Sequence, residues 1–180
     1  LKNESQHMKE LVEQLLFLAR GDSGRNTLNK VKLDLNQMVS EVWEESQMID
    51  EKHRYLFRGT DPAYMTGDIA MIKQSIRIFV QNAAKYSSDG ADITLGVMLE
   101  SGYVSYMIQD EGIGMESSDV VHIFERFYRS DEARNGETGG SGLGLSIAKW
   151  IVDAHSGTIQ VVSRPEVGTR FIVRFPACML

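Results

Sequence analysis

Two pairs of strand-like segments, each joined by a tight turn, constrain the fold of this chain more than any other feature. Residues 91–99 and 103–109 flank the turn-forming Ser101-Gly102, and a second pair of strands flanks a turn at residues 165–168. Connections this short make neighbouring strands antiparallel. Because helical patterns alternate with these pairs, the sequence predicts an α+β fold, a two-layer sandwich of helices on a mixed, mostly antiparallel sheet.

Four stretches with apolar residues at helical spacing accompany the strands, at residues 8–19, 35–49, 69–83 and 143–152. The pattern also indicates a short strand at 55–58 and a short helix at 120–127. The first helix has a wide apolar stripe, which indicates packing on another helix, either of a partner chain or of its own domain. The polar, glycine-containing residues 21–33 are typical of a linker.

Composition excludes several classes of protein. The 180 residues suffice for one core, and a net charge of −6 argues against general nucleic-acid binding. Cys178 is the only cysteine, which excludes an intrachain disulfide. No signal peptide is present, and no apolar run approaches the ~18 residues that span a bilayer. Because the chain begins with Leu1 inside a helical pattern, we expect it to be part of a longer protein.

A glycine-rich run, residues 139–144, opens the fourth helix. Glycines let a backbone approach a ligand closely, and a helix start offers unpaired N–H groups and the positive end of the helix dipole. The run therefore indicates a phosphate-binding segment, although a plain loop has the same composition. It lacks the Gly-Lys-Ser/Thr of a P-loop, and it follows a polar segment rather than the strand that precedes a dinucleotide fingerprint.

Two further groups of polar residues carry chemistry. Asp110 follows a strand, where it is either a solvated turn residue or an acceptor for an exocyclic amine such as that of adenine. Asn82, Lys85 and Tyr86 end the third helix. They offer an amide oxygen, an ammonium group and an aromatic ring, which suit Mg²⁺, phosphate and a base or sugar, or they form an ordinary helix end.

Four motifs occur in an order that resembles the N, G1, F and G2 boxes of bacterial sensor histidine kinases: Asn-Ala-x-Lys-Tyr at 82–86, Asp-x-Gly-x-Gly at 110–114, Phe-Glu-Arg-Phe-Tyr-Arg at 124–129 and Gly-x-Gly-Leu-Gly-Leu at 140–145. Gly-Thr-x-Phe at 168–171 is similar to a strand of that family. The resemblance implies the GHKL ATP-binding fold for residues 22–180. It also implies that residues 1–21 are the end of the second helix of a dimerisation and phosphoacceptor domain.

The resemblance implies an adenine site within this fold. Asp110 would accept a hydrogen bond from the adenine amine, and Gly112 and Gly114 would make room for the ring. Tyr86 would pack near the nucleoside. The remaining walls would come from Met115, Leu143 and Thr169.

It also implies a phosphate and metal site. Asn82 would coordinate the Mg²⁺ that bridges the ATP phosphates, and Lys85 would pair with a phosphate. The phosphates would be lined by three glycines, Gly140, Gly142 and Gly144.

A mobile ATP lid at residues 116–139 is a further implication. In it, Arg126 and Arg129 would reach the terminal phosphate, while Phe124 and Phe127 would anchor the segment.

The activity implied is transfer of the γ-phosphoryl group of Mg-ATP to a histidine. None of the four histidines lies in a Ser-His-Glu-like motif, so we expect the acceptor on a helix outside this chain. One alternative is a GHKL-type ATPase that uses hydrolysis for conformational work. Such enzymes carry a general-base Glu one turn before the Asn, where this chain has Ile78. A non-catalytic nucleotide-sensing scaffold is the other alternative.

Partners and location also follow from the resemblance. The partners would be the protein's own dimerisation domain, in cis or in trans, and a response regulator, but not nucleic acid. The full-length protein would be a homodimer in the bacterial cell membrane, with this domain facing the cytoplasm.

Overall fold

Helices and strands alternate along the residues that the computed structural model describes, 2–130 and 140–178. The helices are α1 (Lys2–Asp22), α2 (Leu35–Ile49), α3 (Ile69–Tyr86), the single-turn α4 (Ser117–Val120) and α5 (Gly144–Ala154). The strands are β1 (Val31–Asp34), β2 (Arg54–Arg58), β3 (Tyr64–Gly67), β4 (Asp92–Glu100), β5 (Tyr103–Asp110), β6 (Thr158–Arg164) and β7 (Gly168–Pro176). The α+β architecture is confirmed.

The main sheet is mixed and has five strands in the order β2-β4-β5-β7-β6. The two predicted hairpins form its centre and one edge, with Glu100 opposite Tyr103 in one and Arg164 opposite Gly168 in the other. Strand β5 pairs antiparallel with β7, so the ends of the two hairpins meet at Asp110 and Thr169. Strand β2 pairs parallel with β4 and is the only parallel neighbour among the described strands.

A second, two-stranded sheet was not expected from the sequence. Strands β1 and β3 have four residues each and pair antiparallel, with Val31 opposite Gly67. Residues 31–33 were therefore wrongly assigned to a linker. Strands this short show too few alternations of apolar and polar residues to be recognised from the sequence. Their pairing also depends on a partner strand about 30 residues away. The helix predicted at 120–127 is shorter and begins earlier in the chain. Ser117–Val120 is helical, and residues 121–127 form turns.

Helices α2, α3 and α5 bury their apolar faces against one side of the main sheet. Phe79 of α3 lies 4.7 Å from Phe171 of β7, ring centre to ring centre, and both are fully buried. The hydroxyl of buried Tyr106 lies 2.9 Å from Ser75 Oγ, which also donates to the carbonyl of Ile72. Each large apolar side chain buried here stabilises the fold by ~1.5–3 kcal/mol.

Helix α1 packs on α5. Leu18 is 2% exposed and shares a separate apolar cluster with Leu143, Ile147 and Ile151 of the α5 region. Phe17 meets Trp150 edge-on at 5.2 Å. The opposite side of the stripe stays exposed, at Met8, Val12, Leu15 and Leu16. The helix therefore has two apolar sides, one of which is covered by its own chain. Among the described residues, no helix is long and apolar enough to cross a membrane.

Buried His155 joins α5 to the start of α3 in a single tautomer. Its Nδ1–H donates to the Ile151 carbonyl at 2.7 Å, and its Nε2 accepts from the backbone N–H of Asp68 at 3.0 Å. Burial lowers the pKa of His155 below the ordinary value of 6.5. A second proton would face a donor N–H at Nε2, so the neutral ring is the one that fits.

We predict that this histidine makes the domain acid-sensitive. The unfolded chain binds a proton near pH 6.5 and the folded chain only at lower pH, so stability is full above 6.5 and falls as the pH falls. The free energy of unfolding in urea should therefore drop between about pH 7 and about pH 5. His155→Gln keeps a donor and an acceptor but does not titrate, and it should flatten this slope. An unchanged slope in the variant would contradict the assignment.

Candidate functional site

Two adjoining cavities form one cleft between α3, the end of β5, the segment around α4 and the start of α5. The outer cavity has a volume of about 340 Å³ and the inner one about 70 Å³. Six residues line both: Asn82, Tyr86, Ile123, Tyr128, Arg129 and Leu145. Their shared walls make the two cavities a continuous site.

Asp110 lies in the inner cavity and is only 5% exposed. Its Oδ1 accepts hydrogen bonds from the backbone N–H groups of Gly112, at 2.8 Å, and Thr169, at 3.2 Å. Burial raises the pKa of this carboxyl, partly offset by the two N–H groups. Among residues 2–130 and 140–178, no group donates to Oδ2. One carboxylate oxygen is thus fixed by the backbone and the other is left for a ligand.

The glycines after Asp110 let three backbone segments meet. A Cβ at Gly112 would collide with the carbonyl of Tyr86, and Ile113 N–H donates to that same carbonyl at 3.1 Å. Gly114 has φ +65°, and a Cβ there would collide with the Arg164 carbonyl. Gly114 lines the inner cavity, whereas Gly112 lines neither cavity. Contacts within the protein therefore require both glycines, and Gly114 also borders the inner cavity.

The inner cavity has walls that suit a flat heterocycle. Met115 and Thr169 lie in these walls, as predicted, and Thr169 is held by its hydroxyl 2.8 Å from Ser163 Oγ. The expectation for Leu143 is wrong, because that side chain is fully buried in the α1–α5 cluster. The walls instead include three apolar residues not predicted from the sequence: Ile113, Ile123 and Leu145.

Leu145 was within reach of sequence reasoning. Leu143 and Ile147 are four residues apart and share the buried face of α5, so Leu145 must point to another side. The helical period thus distinguishes the two leucines of the motif. Ile123 carries no comparable signal, because it follows α4 in a segment of turns.

The outer cavity contains the start of α5 and a lysine. Gly140, Gly142 and Gly144 all line it, as does Lys85. A Cβ at Gly140 would strike the Lys85 ammonium, which places that charge directly against the glycine-rich backbone. Gly142 has φ +70° and accepts a hydrogen bond from Phe127 N–H at 2.9 Å. Because the first N–H groups of a helix have no partner within it, this end of the cleft suits an anion.

The two arginines predicted for a terminal phosphate lie in different places. Arg129 lines both cavities. Arg126 lines neither, since it donates to the Asp22 carboxylate of α1 at 2.7 Å. This ion pair forms at the surface between residues 104 positions apart, so no local sequence pattern predicts it. Arg126 is outside the cleft in this conformation.

The aromatic residues of the same segment also differ. Phe124 packs on the core beside Phe171, with ring centres 6.5 Å apart, in keeping with an anchoring role. The Phe127 side chain is 57% exposed and is not part of the buried core. Its backbone N–H, which donates to the Gly142 carbonyl, connects this segment to the glycine-rich run instead. The expected lid, residues 116–139, is described only to residue 130, and its remainder together with Gly139 lies outside the described residues.

Helix α1 closes the outer side of the cleft, which was not predicted. His7, Glu10, Leu11 and Gln14 line the outer cavity. Gln14 accepts a hydrogen bond at 2.7 Å from Ser141, within the glycine-rich segment. The helix therefore contacts both segments that border the anion-binding end of the cleft, at Arg126 and at Ser141.

A divalent cation fits this cleft only together with a ligand. In the described part of the chain, no three His, Cys, Asp or Glu side chains cluster to hold a metal. The half-buried Asn82 carboxamide lines both cavities, and none of the described residues is hydrogen-bonded to it. Mg²⁺ accepts one or two protein oxygens when phosphates and water complete its shell.

Known proteins are similar to this chain in sequence and in fold. The family model for histidine kinase-, DNA gyrase B-, and HSP90-like ATPases matches residues 67–178. Sensor histidine kinase YkoH of Bacillus subtilis (strain 168) is 38% identical over 175 residues, covering 97% of this chain and 38% of YkoH. Sensor histidine kinase WalK of the same strain is 34% identical over 179 residues, covering 97% of this chain and 29% of WalK. The chain thus spans less than half the length of these relatives.

Solved structures agree on the fold. ShkA, described as full-length in complex with AMPPNP, superimposes with a TM-score of 0.85 at 22% identity, over 99% of this chain and 37% of ShkA. Acinetobacter baumannii histidine kinase AdeS gives 0.75 at 24% identity, over 97% of this chain and 80% of AdeS. Because the family model covers more than half of the chain, this chain belongs to the histidine kinase-, DNA gyrase B-, and HSP90-like ATPase family.

Proposed function

We propose that this domain binds Mg-ATP in the cleft and transfers the γ-phosphoryl group to a histidine on a dimerisation helix outside the chain. The observation that carries the proposal is buried Asp110, which lines the inner cavity. Two backbone N–H groups fix its Oδ1, while none of the described residues donates to its Oδ2. The opposite end of the same cleft is the glycine-rich start of α5. An amine acceptor and an anion site at opposite ends match the two ends of ATP.

At the inner end, Asp110 accepts a hydrogen bond from the adenine amine. A hydrogen bond to a charged group contributes ~1.5–3 kcal/mol net, and the surrounding walls keep water from competing for it. Met115, Leu145 and Thr169 pack on the ring. Tyr86, which lines both cavities, lies near the sugar.

At the outer end, the phosphates lie among Lys85, Arg129 and the first N–H groups of α5. The Asn82 carboxamide oxygen is the protein ligand for Mg²⁺, which neutralises phosphate charge when bound. Lys85 and Arg129 hold the phosphate oxygens in place, because positioning and charge stabilisation dominate phosphoryl transfer. In the reaction an imidazole nitrogen bonds to the γ-phosphorus and the bond to the β–γ bridging oxygen breaks, releasing ADP.

The alternative, hydrolysis for conformational work, is less well supported. It requires a general base to activate water. The α3 wall of the cleft consists of Ile78, Gln81, Asn82, Lys85 and Tyr86, and it has no carboxylate. Ile78 occupies the position where hydrolysing members of the superfamily carry Glu, so α3 supplies no such base.

Domain boundaries and partners are part of the same proposal. Residues 1–21 are the end of a dimerisation helix and residues 22–180 the catalytic domain. The exposed apolar side of α1, which includes Met8, Val12 and Leu16, meets other helices of a homodimer. The receiving histidine lies in that dimer, in cis or in trans, and a response regulator takes the phosphoryl group from it. The complete protein is a receptor of the bacterial cell membrane.

Arg126 joins the phosphate site in this proposal only after α1 releases it. Its partner Asp22 holds it at the surface, at 2.7 Å. The guanidinium lowers the pKa of the Asp22 carboxyl, so this carboxyl stays ionised to lower pH than an isolated one. Release from Asp22 leaves the arginine available to a terminal phosphate.

We predict that Asp110→Asn separates binding from stability. ATP affinity should fall by roughly 10- to 100-fold, since the acceptor loses its charge. A carboxyl whose folded pKa exceeds its unfolded pKa costs stability at neutral pH, so the variant without nucleotide should be at least as stable as the parent. Calorimetric titration and thermal denaturation measure the two effects. Asp61→Asn, at an exposed position, serves as the control. Normal ATP affinity in Asp110→Asn would remove this residue from the adenine site.

Phosphotransfer tests the activity itself. With radiolabelled Mg-ATP, the chain alone should bind nucleotide without labelling itself, and it should label an added dimerisation domain that carries the acceptor histidine. The label should be acid-labile. Asn82→Ala should abolish transfer and the Mg²⁺ dependence of ATP binding. Gln37→Ala, which changes an exposed residue of α2, should leave both unchanged. Steady ADP release without an acceptor would favour the hydrolysis alternative.

Release of Arg126 is tested by a double-mutant cycle. Asp22→Asn should raise ATP affinity by roughly two- to fivefold, because the exposed ion pair no longer competes for the guanidinium. Arg126→Ala should lower affinity, and Asp22→Asn should then have no effect in the Arg126→Ala background. A gain that persists without the arginine would show that Asp22 acts in another way.

A further inference from the structure

The face of the main sheet that points away from the helices carries five arginines. Side chains alternate along a strand, so the burial of Tyr106 and Phe171 on the helix side places their neighbours on the outer side. The strand pairing then puts all five on the same surface: Arg54, Arg58, Arg164, Arg170 and Arg174. We call this surface the arginine face.

The centre of the arginine face is apolar. Met107 of β5 and Ile172 of β7 are directly opposite each other and half-buried, and Leu56 of β2 is half-buried nearby. The Met107 methyl group lies over Gly96, where an added Cβ would be only 3.1 Å away. Val162, at 52% exposed, extends the apolar surface to the β6 edge. Apolar residues surrounded by arginines are typical of protein interfaces.

The charge of this surface contrasts with that of the whole chain. Five arginines are accompanied by three nearby carboxylates, those of Asp92, Glu100 and Glu111, whereas the chain carries a net charge of −6. The remainder of the protein is therefore more acidic than the total indicates. Such a separation gives the arginine face an electrostatic preference for an anionic partner.

Several of these arginines are held in place. Arg54 makes two hydrogen bonds of 2.6 Å to the Asp92 carboxylate. Arg170 donates through Nε to Gln109 at 2.9 Å, so its terminal nitrogens remain for another acceptor. The guanidinium groups of Arg58 and Arg164 have no hydrogen-bond or ion-pair partner among the described residues. A fixed guanidinium matches a carboxylate in a two-pronged geometry and loses little entropy on binding it.

We propose that the arginine face binds an acidic segment of a protein partner, in which Asp or Glu residues flank apolar ones. Five strands at ~4.8 Å spacing and about seven residues of length give roughly 550 Å², which suits a segment rather than a globular partner burying ~800 Å². A lipid surface is a poorer match. Membrane-binding faces use lysines and protruding aromatic rings, whereas the outward positions of these strands contain no lysine and a single exposed aromatic residue, Tyr103, at the end of β5.

The test uses synthetic peptides that alternate Glu with Leu, and matched peptides that alternate Lys with Leu. Fluorescence anisotropy should show saturable binding of the acidic peptide only, weakening as salt is raised. The double variant Arg58→Glu/Arg170→Glu should reduce affinity at least tenfold. Arg25→Glu, an exposed arginine outside the sheet, should change it less than twofold. ATP affinity should be the same in all variants, since neither Arg58 nor Arg170 lines the cleft.

Three results would overturn the proposal. Equal losses in Arg25→Glu and in the double variant would indicate general charge attraction. Absence of saturable peptide binding would remove the surface as a docking site. Binding to vesicles of anionic phosphatidylglycerol with higher apparent affinity than to the acidic peptide, lost in the double variant, would assign the face to lipid. Each result is separable from the fate of the nucleotide site, because ATP binding is measured in parallel.

Discussion

The buried carboxylate of Asp110 is the constraint on which the rest of the site depends. Its Oδ1 accepts from Gly112 in the turn after β5 and from Thr169 in β7, so one atom joins the two hairpins of the sheet. Burial raises its pKa, which means that the charged form of this carboxyl costs the fold stability at neutral pH. Two backbone donors reduce that cost without using Oδ2. A carboxylate kept under these conditions is explained by a ligand that pairs with it.

Helix α3 connects this buried acceptor to the other end of the cleft. The Tyr86 carbonyl accepts from Ile113 N–H, which ties the helix end to the turn after Asp110. One turn earlier, Asn82 faces both cavities, and Lys85 reaches the glycine-rich backbone at Gly140. A single helix end therefore sets the spacing between the proposed amine acceptor, metal ligand and phosphate-binding cation. The Asp68 cap at the other end of α3 and the buried His155 that accepts from it fix the position of this helix.

Much of this fold and site could be predicted from patterns among neighbouring residues, and the remainder could not. Tight turns predicted both hairpins, and helical periods predicted α2, α3 and α5, because these signals depend on neighbouring residues. The four motifs placed Asn82, Asp110 and Gly142 correctly at the cleft. Three features depend on contacts between residues far apart in the chain, so no local pattern predicts them. They are the pairing of β1 with β3, the ion pair of Arg126 with Asp22 and the wall that α1 adds to the cleft. The prediction for Leu143 failed for another reason. It relied on the glycine-rich motif, whereas the helical period places Leu143 on the buried face with Ile147 and leaves Leu145 to the cavity.

The central claim is that the free oxygen of Asp110 recognises an exocyclic amine. Calorimetric comparison of ATP with inosine triphosphate tests it directly, because the second nucleotide has a carbonyl where adenine has the amine and shares the same phosphates. The account predicts binding of inosine triphosphate at least roughly tenfold weaker than that of ATP, since the carbonyl would face an unprotonated carboxylate. Equal affinities for the two nucleotides would contradict it.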